Sequence, residues 1–171
     1  MRKAAGLVLI YPKNGDAMLL LTVRSAHLHH HRGQVSLPGG AVEADERIED
    51  AALREAEEEV GLAREAVVLA LPLTPLHVPV SGYVLYPVVA TTALLPVLRA
   101  NGTEVDRIVE VSLSELADGS GFGVERRERE GSAFEVPYFD LGGVKLWGAT
   151  AMVVAELLAV LGVRLDERLG A

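Results

Sequence analysis

Cysteine is absent from this chain, and that absence closes several routes at once. No disulfide framework can staple the fold and no thiol can act as a nucleophile. His27, His29, His30 and His31, without a thiolate partner, fit no closed zinc pattern and read as a polar surface loop. Basic residues are in the minority: 16 Lys and Arg stand against 24 Asp and Glu, for a formal net charge of −8. Such a balance argues against a nucleic-acid backbone as partner, and a negatively charged small molecule would have to be held by local cations rather than by the overall field. No apolar run reaches membrane-spanning length. Met1-Arg2-Lys3 leads straight into the strand-like AGLVLIY, too short and wrongly bounded for a secretory segment. Internal repeats and linkers are lacking too. The expectation is one domain over residues 1–171, soluble and cytoplasmic, whose 50% of apolar residues supply the core.

What is present concentrates in one run, Gly40 to Leu62, which reads GAVEADERIEDAALREAEEEVGL. From Ile48 to Val60 it holds no Gly or Pro and is rich in Ala, Leu and Glu, which predicts a helix ended by Gly61 as C-cap. At about 100° per residue, Glu55, Glu58 and Glu59 fall on one narrow face. Ala52, Leu53, Ala56 and Val60 form the apolar stripe beside it. Carboxylates at that spacing repel by roughly a few tenths of a kcal/mol per pair, and a divalent cation relieves the repulsion. Hard oxygen donors with room for water and phosphate suit Mg²⁺ or Mn²⁺. Glu49, Asp50 and Glu57 read instead as an ordinary solvated face. Arg54, on the flank, either pairs with Glu46 and orients the cluster or makes a surface ion pair with Glu58 one turn on.

Upstream, Leu20 to Gly40 reads LLTVRSAHLHHHRGQVSLPGG. The branched, apolar stretch Ala17–Val23 predicts a strand, with Arg24 and Arg32 on the loop that leads to Pro38-Gly39-Gly40. Arginine suits phosphate oxygens because its planar fork gives paired hydrogen bonds. Paired glycines let the backbone approach a ligand closely, and a glycine carbonyl, that of Gly40, can serve as a further metal ligand. Elsewhere strands are expected near 4–11, joined to the second by a turn at Asn14-Gly15, and near 67–71, 82–92 and 107–113. Pro87 argues for an edge or a bulge. Ser114 is expected to cap a short helix at 115–117, residues 124–129 and 133–138 to form a hairpin, and 147–161 an amphipathic closing helix that Trp147 anchors in the core. This mixture of strands and helices is α/β.

The spacing G, five residues, E, seven residues, R-E-aliphatic, one residue, E-E, one residue, G-aliphatic resembles the signature of the Nudix hydrolases. Gly40, Glu46, Arg54, Glu55, Glu58, Glu59, Gly61 and Leu62 match it, with Ala56 where a larger aliphatic is usual. The upstream run is similar to the extra signature of the coenzyme A diphosphatase subfamily, in which Leu20, Leu21, Thr22, Arg24, Ser25, Gly33, Pro38, Gly39 and Gly40 fit. His29 stands where that pattern has arginine, with Arg32 as a candidate replacement, and Leu37 stands where it has phenylalanine. The resemblance implies the Nudix fold, a mixed β-sheet sandwiched between helices. It implies Mg²⁺ or Mn²⁺ on Glu55, Glu58, Glu59 and Gly40. Glu46, Arg54, Glu58 and Glu104 would be the catalytic set, the general base being either Glu58 or Glu104; by default Glu104 reads as a solvated loop carboxylate, the alternatives being an extra metal ligand or a base supplied from outside the helix. Arg24, Ser25, Arg32, Gly39 and Gly40 would contact substrate. The implied reaction is hydrolysis of the coenzyme A diphosphate, or that of a derivative, to 3′,5′-ADP and 4′-phosphopantetheine or its acyl form. Two other readings stand beside it: a Nudix diphosphatase for ADP-ribose, NADH or another nucleotide, and a non-catalytic ligand-binding module on the same fold, which predicts decayed glutamates. A homodimer is carried as a candidate assembly.

Overall fold

The computed structural model describes residues 1–26, 33–79, 81–129 and 131–165. Its contacts divide into two compact units, Met1–Ser112 and Leu113–Ala171.

In the first unit everything is arranged around β1 (Arg2–Lys13), in which five consecutive residues, Ala5 to Leu9, are buried. Side chains alternate between faces along a strand, so unbroken burial means that both faces are covered. One edge of β1 carries β7 (Tyr83–Thr92) in parallel, from Arg2 opposite Tyr83 to Ile10 opposite Thr91. Its other edge is shared by two antiparallel partners. β2 (Asp16–Arg24) takes Ile10 to Lys13, and β4 (Gly39–Ala41) takes Ala4 to Gly6. Asn14-Gly15 makes the expected turn, with positive φ at both residues, as a two-residue hairpin requires. β3 (Val35–Ser36) pairs with Thr22 and Val23 of β2, so the segment 35–41 runs extended from one strand to the next. β8 (Val105–Ser112) pairs along the far edge of β2. On the far edge of β7 lie β5 (Val67–Pro72) and β6 (Leu76–Val78).

The helix α1 (Ile48–Val60) has the predicted bounds, and Gly61 ends it in the left-handed conformation at φ 68°. Ala51, Ala52, Ala56 and Val60 are buried in one cluster with Ala5, Leu7, Leu9, Val88 and Ala90 of the sheet. Three alanines on the contact face bring the helix backbone close to β1, which is what places its flanking glutamates next to β4. Leu53 is only partly buried at the border of this contact.

The second unit holds α2 (Leu113–Asp118), β9 (Phe122–Arg129), β10 (Ser132–Asp140), β11 (Lys145–Trp147) and α3 (Gly148–Val160). Its sheet has the order β11-β10-β9, and the anticipated hairpin is present, with Ser132 opposite Arg129. Phe139 and Leu146 are buried, and the Phe122 and Phe139 rings lie 5.1 Å apart.

Several sequence expectations are corrected. Pro87 lies in an interior strand, not on an edge, and the register shift in the β5–β7 pairing falls at Leu69/Leu71, opposite Ala90 and Val89 rather than at Pro87. Its carbonyl accepts a hydrogen bond from Leu73, on the side where the partner of β7 changes from β6 to β5. The N–H and C=O of a strand residue point the same way, so the donor that proline lacks would have faced that gap, and the β1 ladder loses nothing. Ser114 sits inside the first turn of α2, which starts at Leu113, and is not its cap. α3 is apolar around most of its circumference rather than amphipathic: Val153, Val154, Leu157 and Leu158 are buried while Met152 and Val160 are exposed. Trp147 precedes α3 on the surface, 37% exposed, with the Arg127 guanidinium 4.7 Å from its ring centre, so it is no core anchor. The two- and three-residue strands β3, β4, β6 and β11 carry too little sequence for a period to show.

β4 approaches β1 so closely that a Cβ on Gly39 would lie 2.1 Å from the Ala5 carbonyl oxygen and 2.8 Å from the Gly6 Cα. Both are backbone atoms and cannot rotate aside. Gly39→Ala is therefore expected to lose about 3 kcal/mol of stability or more, read from the urea unfolding midpoint. A midpoint equal to that of the unsubstituted protein would contradict this packing.

Candidate functional site

Three stretches of the first unit meet at the glutamates: the β3–β4 segment, α1, and the turn at 101–104 before β8. Along α1 the carboxylates grade from core to solvent. Glu59 is 3% exposed, the Glu55 side chain 13% and the Glu58 side chain 58%. The predicted common face is thus the border of the buried stripe rather than a solvated surface. Glu57 points away, exposed and paired with Arg64.

Arg54 organises this border. Its Nε donates to Glu46 Oε1 at 2.8 Å and its Nη2 to Glu46 Oε2 at 3.0 Å, so the two side chains meet fork to fork. Nη1 donates to Glu55 at 2.9 Å and lies 3.5 Å from Glu58, while Nη2 also reaches the Ala41 carbonyl at 3.0 Å. Both partners anticipated for Arg54 are present, with Glu46 the dominant one. The Arg54 hydrogen bonds, helped by the Glu43 amide, hold the Glu46 carboxyl down to about 2.

Gly39 and Gly40 stand directly over the helix. The Gly39 N–H donates to Glu59 Oε2 at 3.0 Å. A Cβ on Gly40 would lie 2.4 Å from the Glu55 carboxyl carbon. Pro38 and Val42 both bond across to β1, so by strand alternation Gly40 directs its N–H and C=O to Ala5. The peptide groups of Gly39 face the carboxylates instead. The sequence reading put the ligating carbonyl on Gly40, and the register turns that of Gly39 to the site.

Burial dominates the electrostatics. It pushes the Glu59 carboxyl up to about 7, opposed by the Gly39 amide and reinforced by the Glu55 charge, with Arg24 lowering it and Glu104 raising it. Glu55 is also raised, mainly by burial, against the pull of Arg54 and with the push of Glu58 and Glu104. Glu104 is therefore within electrostatic reach of the helix carboxylates, as its candidacy required. Arg24 ends β2 just past a register shift against β8, an irregularity that re-aims the side chain. Its buried Nε has no hydrogen-bond partner. Ser25 is fully buried, and its backbone N–H holds the Glu104 carbonyl at 2.8 Å, so the side chain expected to contact substrate sits inside the protein. Arg32 and His29 lie outside the described residues. Among the described residues, no three His, Asp or Glu side chains are grouped so that they could hold a metal ion as they stand, with Glu55 engaged by Arg54 and Glu59 by the Gly39 amide.

Residues 1–127 match the NUDIX domain family. "Uncharacterized Nudix hydrolase NudL" of Photorhabdus laumondii subsp. laumondii is 39% identical over 143 residues, covering 81% of this chain and 74% of that protein. The protein of the same description from Escherichia coli O1:K1 / APEC is 37% identical over 166 residues, covering 95% of this chain and 84% of its own length. Among solved structures, the Nudix hydrolase RenU of M. Smegmatis is 31% identical with a TM-score of 0.59, covering 68% of this chain and 74% of that chain. The chain belongs to the Nudix hydrolases, enzymes of nucleotide diphosphate-type substrates that generally use divalent cations. The mixed-sheet α/β fold that the sequence resemblance implied is the fold observed.

Sequence reasoning passed over Asn101 and the Ala41 carbonyl. Asn101-Gly102 is a turn signal in its own right, though nothing in the residue types announces which groups that turn binds.

The Glu59 shift has a definite sign. Between the ordinary carboxyl value of 4.5 and about 7, the folded chain keeps a proton that the unfolded chain has released. Metal-free protein therefore loses stability as pH rises through that window, by on the order of 3 kcal/mol for the full shift. Glu59→Gln removes the loss. Denaturant series in chelator from about pH 4.5 to about pH 8 are expected to show the two proteins converging at the acid end and the variant more stable at the alkaline end. Parallel curves would contradict the assignment.

Proposed function

We propose that this Nudix hydrolase is a cytoplasmic coenzyme A diphosphatase, working as one domain over residues 1–171 and yielding 3′,5′-ADP and 4′-phosphopantetheine, or the acyl form from an acyl derivative. The observation that carries the substrate reading is Arg24. Its buried Nε lacks a partner, and its charge acts on Glu59, so a guanidinium is held ready for an anion beside the carboxylates. It belongs to the same upstream run that resembles the coenzyme A subfamily. Coenzyme A carries a diphosphate and a 3′-phosphate, and its recognition calls for more than one cation.

The residues fit a divalent cation. All the donors are hard oxygens, the missing Cβ of Gly40 leaves space against Glu55, and burial of Glu59 and Glu55 disfavours their charges in the absence of a counter-charge. Glu55, Glu58 and Glu59 would hold Mg²⁺ or Mn²⁺, with the Gly39 carbonyl replacing that of Gly40 and Glu104 serving as an extra ligand from outside the helix or as the base. A bound cation of this kind neutralises phosphate charge and lowers the pKa of water. Glu58 or Glu104 takes the proton from the attacking water as its oxygen bonds to one phosphorus of the diphosphate, and the bridging oxygen departs with the other phosphate. Arg54 keeps Glu55 and Glu46 in place, and Arg24 pairs with phosphate oxygens.

Glu59→Gln is expected to abolish nearly all cation-dependent turnover while the exposed Glu57→Gln keeps it; full activity in both would remove the carboxylates from the mechanism. A panel of coenzyme A, dephospho-coenzyme A, ADP-ribose and NADH, with products weighed by mass spectrometry, tests the substrate. Coenzyme A is expected to have the highest kcat/KM, with dephospho-coenzyme A lower by about tenfold or more if Arg24 bonds the 3′-phosphate. Arg24→Ala is expected to erase that difference. Preference for ADP-ribose or NADH would overturn the substrate while leaving the hydrolase, and failure to cleave any of them would favour a binding module.

A further inference from the structure

The turn ahead of β8 contains a polar hub that the Nudix signature does not account for. Asn101 Oδ1 accepts three successive backbone N–H groups, those of Thr103 at 3.1 Å, Glu104 at 3.0 Å and Val105 at 3.1 Å. Three donors on one atom identify it as the amide oxygen. The amide nitrogen of the same side chain donates to the Glu58 carbonyl at 3.3 Å, and the Asn101 backbone N–H donates to the Glu59 carbonyl at 2.9 Å. Those two carbonyls belong to the last turn of α1, where helix geometry leaves acceptors without an intrahelical partner. One residue thus grips the end of the helix with its two nitrogens and the Glu104 backbone with its oxygen. From the other side the Ser25 N–H holds the Glu104 carbonyl at 2.8 Å, one residue from Arg24. Asn101 is itself exposed, so these bonds do not serve to satisfy a polar group trapped in the core.

We propose that Asn101 is a positioning residue for the carboxylate site. It fixes Glu104, which arrives from outside the helix, relative to Glu58 and Glu59, which the helix carries, so that all three serve one cation. The proposal rests on the reading of the site as a divalent-cation centre. A side chain that merely stabilised its turn would not need the bond to the Glu58 carbonyl, since the three N–H bonds close the turn without it. The charge of Glu104 reaches Glu55 and Glu59, as this placement requires.

The test uses the full chain, freed of metal, with Mn²⁺ as the probe. Three quantities are read: Mn²⁺ affinity by electron paramagnetic resonance titration, amide hydrogen exchange at Thr103 to Val105, and thermal unfolding. Asn101→Ala is expected to speed exchange at those amides and to weaken Mn²⁺ binding by about tenfold or more. Asn101→Asp, which keeps an oxygen for the three donors but has no N–H for the Glu58 carbonyl, is expected to retain the amide protection and still lose part of the Mn²⁺ affinity. Asn101→Ser, with one acceptor, is expected to fall between them and serves if the alanine variant does not fold. Glu104→Gln is expected to weaken Mn²⁺ comparably, and adding Asn101→Ala to it to weaken binding little further, because the two act as a unit. An alanine variant that melts earlier yet binds Mn²⁺ normally would overturn the proposal, as would normal binding by Glu104→Gln. If Mn²⁺ affinity responds as expected while coenzyme A is not cleaved, Asn101 keeps its role and the substrate reading falls. Cleavage of coenzyme A with Mn²⁺ affinity unmoved by any of these variants gives the reverse.

Discussion

The site depends on how little space separates β1, β4 and α1. Over Gly39 a single methyl would strike the β1 backbone, and over Gly40 it would strike the Glu55 carboxyl group. The three layers reach that distance because the helix contributes alanines to the contact and because β4 bonds directly to β1. Each arrangement needs the other. With a bulkier helix face the Gly39 amide would not reach Glu59, and without β4 the helix carboxylates would border solvent instead of a peptide donor.

Burying carboxylates so close to a sheet has an electrostatic cost, and the molecule offsets it unevenly. Glu46 is satisfied by the Arg54 fork and is strongly acidic, while Glu59, where one amide and the Arg24 charge are outweighed by burial, is not. Arg54 thus serves as an internal counter-ion that spans loop and helix, and Glu59 is the group with most to gain from an external one. Such divergence between neighbouring carboxyls is common where a protein is built to bind or to catalyse rather than to be as stable as it can be. Away from the site the same sheet satisfies one carboxylate from two sides: Glu110 takes both Lys13 and the Tyr11 hydroxyl.

The parts of this arrangement that were legible in the sequence are those fixed by short-range rules. The bounds of α1, its left-handed Gly61 and the Asn14-Gly15 turn follow from propensity and backbone sterics, which act within a few residues. The pairing of Arg54 with Glu46 was legible because eight positions of helix and loop leave few alternatives. What tertiary register decides was not. Which glycine turns its peptide to the carboxylates depends on pairing parity between β4 and β1, and no residue type announces it. The burial of Ser25 and the surface position of Trp147 depend on which strands come to lie beside them. Pro87 misled because a missing donor matters only on the side where a partner strand waits, and that side is known only once β5 and β6 are placed.

Trp147 is the chain's single tryptophan, and it lies on the surface of the second unit beneath the Arg127 guanidinium. Intrinsic fluorescence therefore reports first on the β9–β11 sheet, and its quenching follows the seating of one arginine over an indole. The carboxylates belong to the first unit, where the aromatic residues are tyrosines such as Tyr11, Tyr83 and Tyr86. Tryptophan emission therefore comes from the unit that does not hold the glutamates, and occupancy of the site is better followed through the cation or the phosphate.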